Sequence, residues 1–181
     1  SMWGVLSVGM AKRGHQVIAV DQTYDSLNFL KTRSIEEGLE NIHLVQDDIR
    51  EVKFKDIADY AIVNGVLEWI PEKSEVIVSE YYEKKVSKTK SSIKKNLLKH
   101  PRDMQVEFLK KVYDSLNTGG QLFLAIENKL NYAYLLGRPD PHVNLKFTTF
   151  LPRAISNVIS KIFRKKDYRT YIYSFSELKD L

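Results

Sequence analysis

The chain has 181 residues, of which 43% are hydrophobic and 11% aromatic, which is enough to build one domain with a buried core. It has no cysteine, which excludes disulfides and cysteine-based metal or nucleophile chemistry and fits a reducing compartment. There is no run of about 18 apolar residues and no signal-peptide pattern at the amino end, so we expect a soluble, cytoplasmic protein.

The net charge of +5 comes from one segment of the chain. Lysines crowd the stretch from Lys84 to Arg102, which has no acidic residue. Apolar residues recur at helical spacing over 72–103, so we predict a basic helical insertion there. A solvated helix face is the favoured interpretation, and contact with anionic membrane lipids through Lys84 to Arg102 stays open. Nucleic acid is disfavoured, because aromatic residues are not interleaved with the lysines.

The first predicted elements are a helix over 5–13 and an apolar strand over 17–20. Gly4 precedes the helix, and Asp21, followed by Gln22, stands directly at the carboxyl end of the strand. A glycine opening a helix, a return strand and a terminal carboxylate are typical of the second half of a nucleotide-cofactor βαβ unit. In such a unit the carboxylate accepts hydrogen bonds from ribose hydroxyls.

Three more apolar runs along the chain predict strands, each ending in polar residues. These runs cover residues 42–45, 61–63 and 121–126. Between the last two, a helical pattern over 108–116 is stopped by the polar, glycine-rich residues 117–120. Alternating strands and helices predict an α/β fold with a doubly wound, mostly parallel sheet and a site along the carboxyl edge of its strands.

The segment 129–175 is longer than a connection between two secondary-structure elements requires, so we predict a substrate-side lid or insertion there. This region includes a helical pattern over 154–163 and a tyrosine-rich stretch over 168–173. That stretch either contributes to a substrate site or forms an ordinary β-strand. We treat residues 1–181 as a single partial domain that carries both insertions.

The order of these motifs resembles a class I S-adenosylmethionine-dependent methyltransferase. The sequence WGVLS at 3–7 resembles the end of that family's glycine-rich first motif, with Gly4 as its last glycine. NGVLEWIP at 64–71 resembles the motif after the fourth strand of the family. LNTGGQL at 116–122 resembles the L-x-P-G-G-x-L turn, with threonine in place of proline. The resemblance spans residues 3–128 and implies a Rossmann-like methyltransferase fold.

The resemblance also implies S-adenosylmethionine as the cofactor. By position, Asp21 would hold the ribose, Asp48 and the backbone amide of Ile49 would meet the adenine, and Asn64 with Gly65 would lie beside the methionine end. The cofactor-binding candidates are therefore Gly4, Asp21, Gln22, Asp48, Ile49, Asn64 and Gly65. Judged by residue type alone, Asp21, Asp48, Asn64 and Gly65 are also ordinary turn or strand-end residues.

The tail resembles a bacterial subset of these enzymes that is often associated with cell-surface glycan assembly. The matching motifs are IENK at 126–129, LLGRPDPH at 135–142 and YRTY at 168–171. The resemblance implies a small-molecule or glycan-type methyl acceptor.

Methyl transfer from a sulfonium requires positioning and, for a hydroxyl or amine acceptor, removal of a proton. His142 is the candidate base by residue type, because imidazole titrates near neutral pH. Glu68 is a second candidate, although a glutamate at a helix start is also favourable on dipole grounds. The substrate-binding candidates are Arg138, which lies in the same loop as His142, and Arg169 and Tyr171, which could bind an anionic or sugar substrate.

Other residues are given ordinary structural roles. Trp69 is expected in the core. The remaining histidines, at 15, 43 and 100, show no ligand spacing, so no metal site is expected. The sequence gives no indication of the oligomeric state.

The sequence departs from the pattern of this family at both ends, and two other functions stay open as alternatives. The family's first strand should precede Trp3 and its last two strands should follow Leu181, so we expect a chain truncated at both ends. One alternative is an NAD-linked dehydrogenase, because a carboxylate after the second strand also suits the ribose of NAD. The other is a catalytically silent Rossmann-like module that contacts RNA or anionic membrane through its basic helix.

Overall fold

The computed structural model describes residues 4–71, 100–165 and 167–181. The chain divides into two compact units, Ser1–Lys53 and Phe54–Leu181. Most of the basic insertion predicted over 72–103 lies outside the described residues, and its last three residues begin a helix of the second unit. Within the described ranges, no helix combines the length and the apolar character that crossing a bilayer requires.

The first unit is a small α/β layer. In chain order it contains α1 (Val5–Ala11), β1 (Val17–Asp21), α2 (Tyr24–Glu36) and β2 (Ile42–Gln46). β1 and β2 pair in parallel, with Val17 opposite Ile42 and Asp21 opposite Gln46. The polar residues that follow both strands therefore leave the same edge of this sheet.

The core of the first unit forms where both helices cover the sheet. Val8, Ala19 and Leu30 are buried there, one from α1, one from β1 and one from α2. The hydroxyl of Ser34 donates to the carbonyl of Leu30 across 2.8 Å, so this buried polar group is satisfied within its own helix.

The second unit begins with β3 (Ala58–Asn64), a short 3₁₀ helix (Leu67–Trp69), α3 (Pro101–Ser115) and β4 (Leu116–Ala125). β3 and β4 pair in parallel from Tyr60 opposite Gln121 to Asn64 opposite Ala125. α3 begins seven residues before the predicted helix, because His100 caps it and Pro101 is well suited to its first turn.

The glycine-rich stretch 117–120 was expected to be a turn before the strand, and this boundary is wrong. β4 already begins at Leu116, opposite Ala58, and the register then shifts before Gln121. Residues 117–120 form the irregularity, and Gly119 adopts a φ of +83°. The turn chemistry predicted from glycine is thus present, but inside a strand.

The rest of the second unit has three helices, α4 (Tyr132–Leu135), α5 (Arg153–Arg164) and α6 (Phe175–Lys179). α5 buries Ser156 and Ser160 and leaves apolar side chains such as Ile162 and Phe163 exposed. Among the described residues, the stretch 168–173 does not form a ladder strand, and Tyr173 makes an isolated bridge with Asn128. The β-strand alternative for this stretch is therefore wrong.

Candidate functional site

Gly4 lies at the start of α1, where only glycine fits. Its φ is +59°, a left-handed conformation that residues with a side chain rarely adopt. A Cβ at this position would lie 2.4 Å from Cδ1 of Leu30, a core residue of α2. The close approach of the two helices therefore depends on the absence of a side chain here.

Asp21 is held at the carboxyl end of β1 by the backbone that follows it. Its Oδ1 accepts a hydrogen bond from the amide of Thr23 at 2.9 Å, just where α2 begins. Its carbonyl accepts from the amide of Asp47 at 3.2 Å, which joins the ends of β1 and β2. The neighbouring Gln22 is exposed, and its carbonyl accepts from Gln46 at 3.5 Å. The carboxylate is thus oriented at a strand end, the place expected for a ribose ligand.

Asp48 is engaged inside its own loop. Its Oδ1 accepts from the amide of Arg50 at 3.0 Å and from Nε of the same residue at 2.9 Å. Its Oδ2 pairs with Nη2 of Arg50. Ile49, between them, is half-buried. Asp48 therefore acts as a turn residue, which was one of the two interpretations that its residue type allowed. An adenine bound here would share the carboxylate with the guanidinium of Arg50.

Asn64 and Gly65 end β3 in the second unit. Gly65 has a φ of +63°, and its amide donates to the carbonyl of Ala125 at 2.9 Å. This bond closes the end of the β3–β4 ladder and turns the chain toward the 3₁₀ helix. A Cβ on Gly65 would lie 3.8 Å from Oε1 of Glu68, so the turn brings that carboxylate back to the strand end.

Glu68 is buried, with 2% of its surface exposed. Its Oε2 has no hydrogen-bond partner among the described residues. Burial raises the pKa of Glu68, an effect to which the charge of Glu127 adds and which the charge of His142 opposes. The favourable position of a glutamate at a helix start, the ordinary interpretation of this residue, does not by itself explain why Glu68 is buried.

Asp140 and His142 form a buried pair, each with a side chain that is 1% exposed. Oδ1 of Asp140 lies 2.9 Å from Nδ1 of His142 and also accepts from the amide of His142 at 2.9 Å. The loop that carries them is closed by Asp140 and Leu145, whose amide and carbonyl bond at 2.9 Å. Asp140 and His142 are two positions apart in the sequence, and this spacing places the carboxylate directly against the imidazole.

The second oxygen of Asp140 is held by the chain downstream. The hydroxyl of Tyr168 donates to Oδ2 at 2.8 Å, and that of Thr148 reaches the same oxygen at 3.4 Å. Burial alone would raise the pKa of Asp140, but the hydrogen bonds from His142 and Tyr168 outweigh it and lower that pKa. Asp140 is therefore an ionised, fully hydrogen-bonded carboxylate.

The imidazole of His142 is surrounded by acids. Burial alone lowers the pKa of His142, but the hydrogen bond and charge of Asp140, with the charges of Glu127 and Glu68, raise it overall. Its Nε2 is buried and has no hydrogen-bond partner among the described residues. Glu127 in turn accepts from the hydroxyl of Tyr134 at 2.5 Å, and burial with this bond raises the pKa of that tyrosine.

Trp69 is not a core residue, and that expectation is wrong. The 3₁₀ helix turns Leu67 and Glu68 inward, which leaves Trp69 49% exposed on the other side. Its ring centroid lies 4.2 Å from that of His142. Trp69 therefore covers the imidazole with one part of its surface and faces solvent with another.

The three predicted substrate-binding residues have different surroundings. Nε of Arg169 donates to the carbonyl of Pro71 at 2.6 Å, and Nη2 contacts Sδ of Met104 at 3.3 Å. Tyr171 packs under the guanidinium of Arg153, whose Cζ lies 4.4 Å from the centroid of the Tyr171 ring. Arg138 is exposed in the loop before Asp140.

The sequence pointed to His142 and Glu68 as candidates but not to their neighbours Asp140, Tyr168 and Glu127. The Asp-Pro-His spacing was a usable signal, because an aspartate often accepts from the amide two residues later. Nothing in the sequence pairs Tyr168 with an acid 28 residues earlier. Among the described residues, no three histidine or acidic side chains form a group that could hold a metal ion.

Comparison with known proteins identifies the fold. Residues 2–84 match a family model described as "Methyltransferase domain". The YcgJ protein of Bacillus subtilis shares 14% identity and a TM-score of 0.51, over 99% of this chain and 55% of that one. A Bacillus halodurans protein described as a methyltransferase candidate shares 15% identity and a TM-score of 0.52, over 98% and 56%.

A third solved structure, of a SAM-dependent methyltransferase from Methanosarcina mazei, shares 16% identity and a TM-score of 0.50, over 80% of this chain and 66% of that one. No curated protein matches the chain. The chain spans little more than half the length of the first two structures. The α/β elements with parallel strands have a Rossmann-like methyltransferase fold.

Proposed function

We propose that the chain belongs to an S-adenosylmethionine-dependent methyltransferase acting on a small-molecule or glycan-type acceptor. The observation that carries the proposal is the match of residues 2–84 to a methyltransferase domain, because that segment contains the predicted cofactor residues of the first unit. The methyltransferase descriptions of two structural neighbours support it. The acceptor class rests on the resemblance of the tail motifs alone.

The residues of the first unit suit this cofactor at two of three positions. Gly4 leaves the start of α1 without a side chain, and Asp21 stands oriented at a strand end. The carboxylate of Asp48 is engaged by Arg50, so Ile49 and its amide are the better adenine candidates in that loop. Asn64 and Gly65 would supply polar backbone at the end of β3. When bound, S-adenosylmethionine supplies a methyl group activated by its sulfonium.

The residues of the second unit would manage the acceptor's proton. In the part of the chain that the structure describes, Nε2 of His142 and Oε2 of Glu68 are buried and have no hydrogen-bond partner. Groups of this kind in one electrostatic environment are candidates for general acid–base work.

Calorimetry on the full chain tests the proposal. We expect S-adenosylhomocysteine to bind and NAD not to bind. Asp21→Ala should weaken the binding of S-adenosylhomocysteine at least about tenfold, since a ribose hydrogen bond to a charged oxygen is worth about 1.5–3 kcal/mol. Asp25→Ala, in the exposed first turn of α2, is the matched control and should leave binding unchanged.

The contrary outcomes point to the alternatives. Binding of NAD in place of S-adenosylhomocysteine would favour a dehydrogenase. Binding of neither, together with salt-sensitive binding to RNA or anionic vesicles, would favour a silent module. Unchanged affinity in Asp21→Ala would show that the cofactor does not use this carboxylate.

A further inference from the structure

We propose that α5 is an interfacial helix that docks on an anionic lipid bilayer through an outward apolar stripe and the lysines at its end. The stripe consists of Ile155, Val158, Ile159, Ile162 and Phe163. The inference is independent of the proposed methyltransferase function, because none of these residues is a cofactor, base or substrate candidate. It concerns the surface on which the protein works rather than the reaction.

The first step of the argument is the spacing of the stripe. Counted from Ile155, its residues fall at i, i+3, i+4, i+7 and i+8, a pattern that normally packs a helix against a protein core. In the part of the chain that the structure describes, all of them except Ile159 are between 48% and 69% exposed. The residues that α5 buries instead are Ser156 and Ser160.

The second step is the anchoring of the opposite face of α5. The hydroxyl of Ser156 donates to the carbonyl of Thr148 at 2.7 Å. Oδ1 of Asn157 accepts from the amide of Tyr168 at 2.9 Å, and Nη2 of Arg153 donates to the carbonyl of the same tyrosine at 3.1 Å. Turning the stripe inward would break all of these bonds, so polar contacts fix its outward orientation.

The third step is the charge around the stripe. Residues 143–165 contain no acidic residue. Lys161 follows Val158 by three positions, which places it at the edge of the stripe, and Lys165 is exposed at the end of the helix. Lys161 pairs with Asp167 at 3.0 Å, but both side chains are exposed, and such a pair is weak and easily exchanged. The surface is therefore apolar and positively charged.

The fourth step is the choice of partner. A continuous exposed apolar surface marks a site of contact with protein or membrane. Lysine is depleted in protein–protein interfaces, whereas an anionic bilayer attracts every nearby cation without requiring a particular geometry. A helix that lies flat, with apolar residues on one side and lysines beside them, is suited to insertion at the level of the lipid headgroups. The combination thus favours an anionic bilayer over a protein partner.

A fluorescent label at one position tests the proposal on the full chain. Because the sequence has no cysteine, Val158→Cys provides a unique thiol for a nitrobenzoxadiazole dye. With vesicles of phosphatidylglycerol and phosphatidylcholine in equal parts, we expect a blue shift of the emission and quenching by spin-labelled lipid. Vesicles of phosphatidylcholine alone, or high salt, should reduce both effects. A dye at Tyr113→Cys, exposed on α3, should not respond.

Variants measure how much each part of the surface contributes. Phe163→Gln should weaken sedimentation with the anionic vesicles at least about tenfold, since it removes an aromatic ring from the inserted stripe. Lys165→Gln should weaken it about fivefold, the contribution of one cation near an anionic surface. The matched controls are Tyr113→Gln and Lys110→Gln, both exposed on α3, which should leave binding unchanged. Circular dichroism checks that the variants stay folded.

The contrary outcomes are distinct. Vesicle binding without a response of the dye at Val158→Cys would place the membrane contact elsewhere, for example in the basic stretch from Lys84 to Arg102, and would overturn the proposal. A dimer in analytical ultracentrifugation that Phe163→Gln dissociates would assign the stripe to a second copy of the chain. Absence of vesicle binding at low salt, or equal binding by Phe163→Gln and Tyr113→Gln, would also overturn it.

Discussion

The hydroxyl of Tyr173 donates to Oε1 of Gln105 across 2.6 Å, and both side chains are buried. Nε2 of Gln105 donates to the carbonyls of Leu67 at 2.8 Å and Tyr171 at 2.9 Å. The side-chain amide of Gln105 on α3 therefore joins the 3₁₀ helix that carries Glu68 to the segment 171–173. Gln105, Leu67 and Tyr173 are buried, so bulk water does not readily replace the hydrogen bonds between them.

Gln105→Leu should consequently destabilise the protein strongly. It leaves two carbonyls and one hydroxyl without partners, and we expect a loss of about 3 kcal/mol in the free energy of unfolding. Urea denaturation measures the loss. Gln121→Leu, at an exposed position of β4, is the matched control and should cost less than about 0.5 kcal/mol. Equal effects of the two substitutions would contradict the network's importance.

Gly4→Ala should be more damaging than Gly14→Ala, although both glycines have positive φ. At Gly14, with φ +86°, an added Cβ meets none of the described residues within 4 Å, so only backbone strain of about 1–2 kcal/mol is expected. At Gly4 the Cβ also collides with Leu30, which adds about 1–3 kcal/mol of overpacking. Thermal unfolding followed by circular dichroism compares the two variants. A smaller effect at Gly4 would show that α1 moves away from α2 at little cost.

Arg153→Lys should destabilise α5 although it keeps the charge. The guanidinium donates to the carbonyls of Thr170 at 2.7 Å and Tyr168 at 3.1 Å while it stacks on Tyr171. Lysine lacks the planar fork that serves both carbonyls, so we expect a loss of about 1–2 kcal/mol in urea denaturation.

The same helix supplies the control for that substitution. Arg164 also reaches two carbonyls, those of Val143 at 2.8 Å and Asn144 at 2.7 Å, but in an exposed position. Water can replace those bonds, so Arg164→Lys should cost less than about 0.5 kcal/mol. A similar loss at both positions would mean that burial of the Arg153 fork is unimportant.

Glu68→Gln should stabilise the protein at neutral pH. Burial raises the pKa of folded Glu68 above 4.5, so the unfolded chain releases this proton first as the pH rises. The contribution of Glu68 to the free energy of unfolding is therefore complete below pH 4.5. It declines as the pH rises through the pKa that Glu68 has in the folded protein. Glutamine removes the decline, and we expect a gain of about 1 kcal/mol at pH 7.5 that disappears toward pH 4.

Glu177→Gln provides the comparison with opposite sign. The amide of Ser174, with Lys129, lowers the pKa of Glu177, so its contribution is present above 4.5 and is lost as the pH falls through the folded pKa. Glu177→Gln should therefore destabilise at pH 7.5. Urea midpoints at pH 4, 5.5 and 7.5 separate the two cases. A loss of stability in Glu68→Gln at pH 7.5 would contradict the burial argument.

The strands were predictable because each is a short apolar run bounded by polar residues. β1 and β2 were placed within one residue at either end, and the core of β3 was found inside its longer span. The predicted boundaries of helices and strands were wrong or ambiguous where two sequence signals overlapped. The start of α3 was missed because Pro101 and its cap lie inside a lysine-rich stretch, and 168–173 was left ambiguous because tyrosine and threonine favour strands without requiring them.

The sequence alone determined that polar residues follow each strand, that Gly4 opens a helix, and that a histidine lies in the tail loop. Those features depend on neighbours in the chain, which local pattern and turn chemistry describe. Only the tertiary structure decided that Glu68 is buried rather than solvated, that Asp140 is held from the far side by Tyr168, and that Arg169 binds the carbonyl of Pro71. These depend on contacts between distant residues, and the pKa of a side chain follows the surroundings that folding gives it.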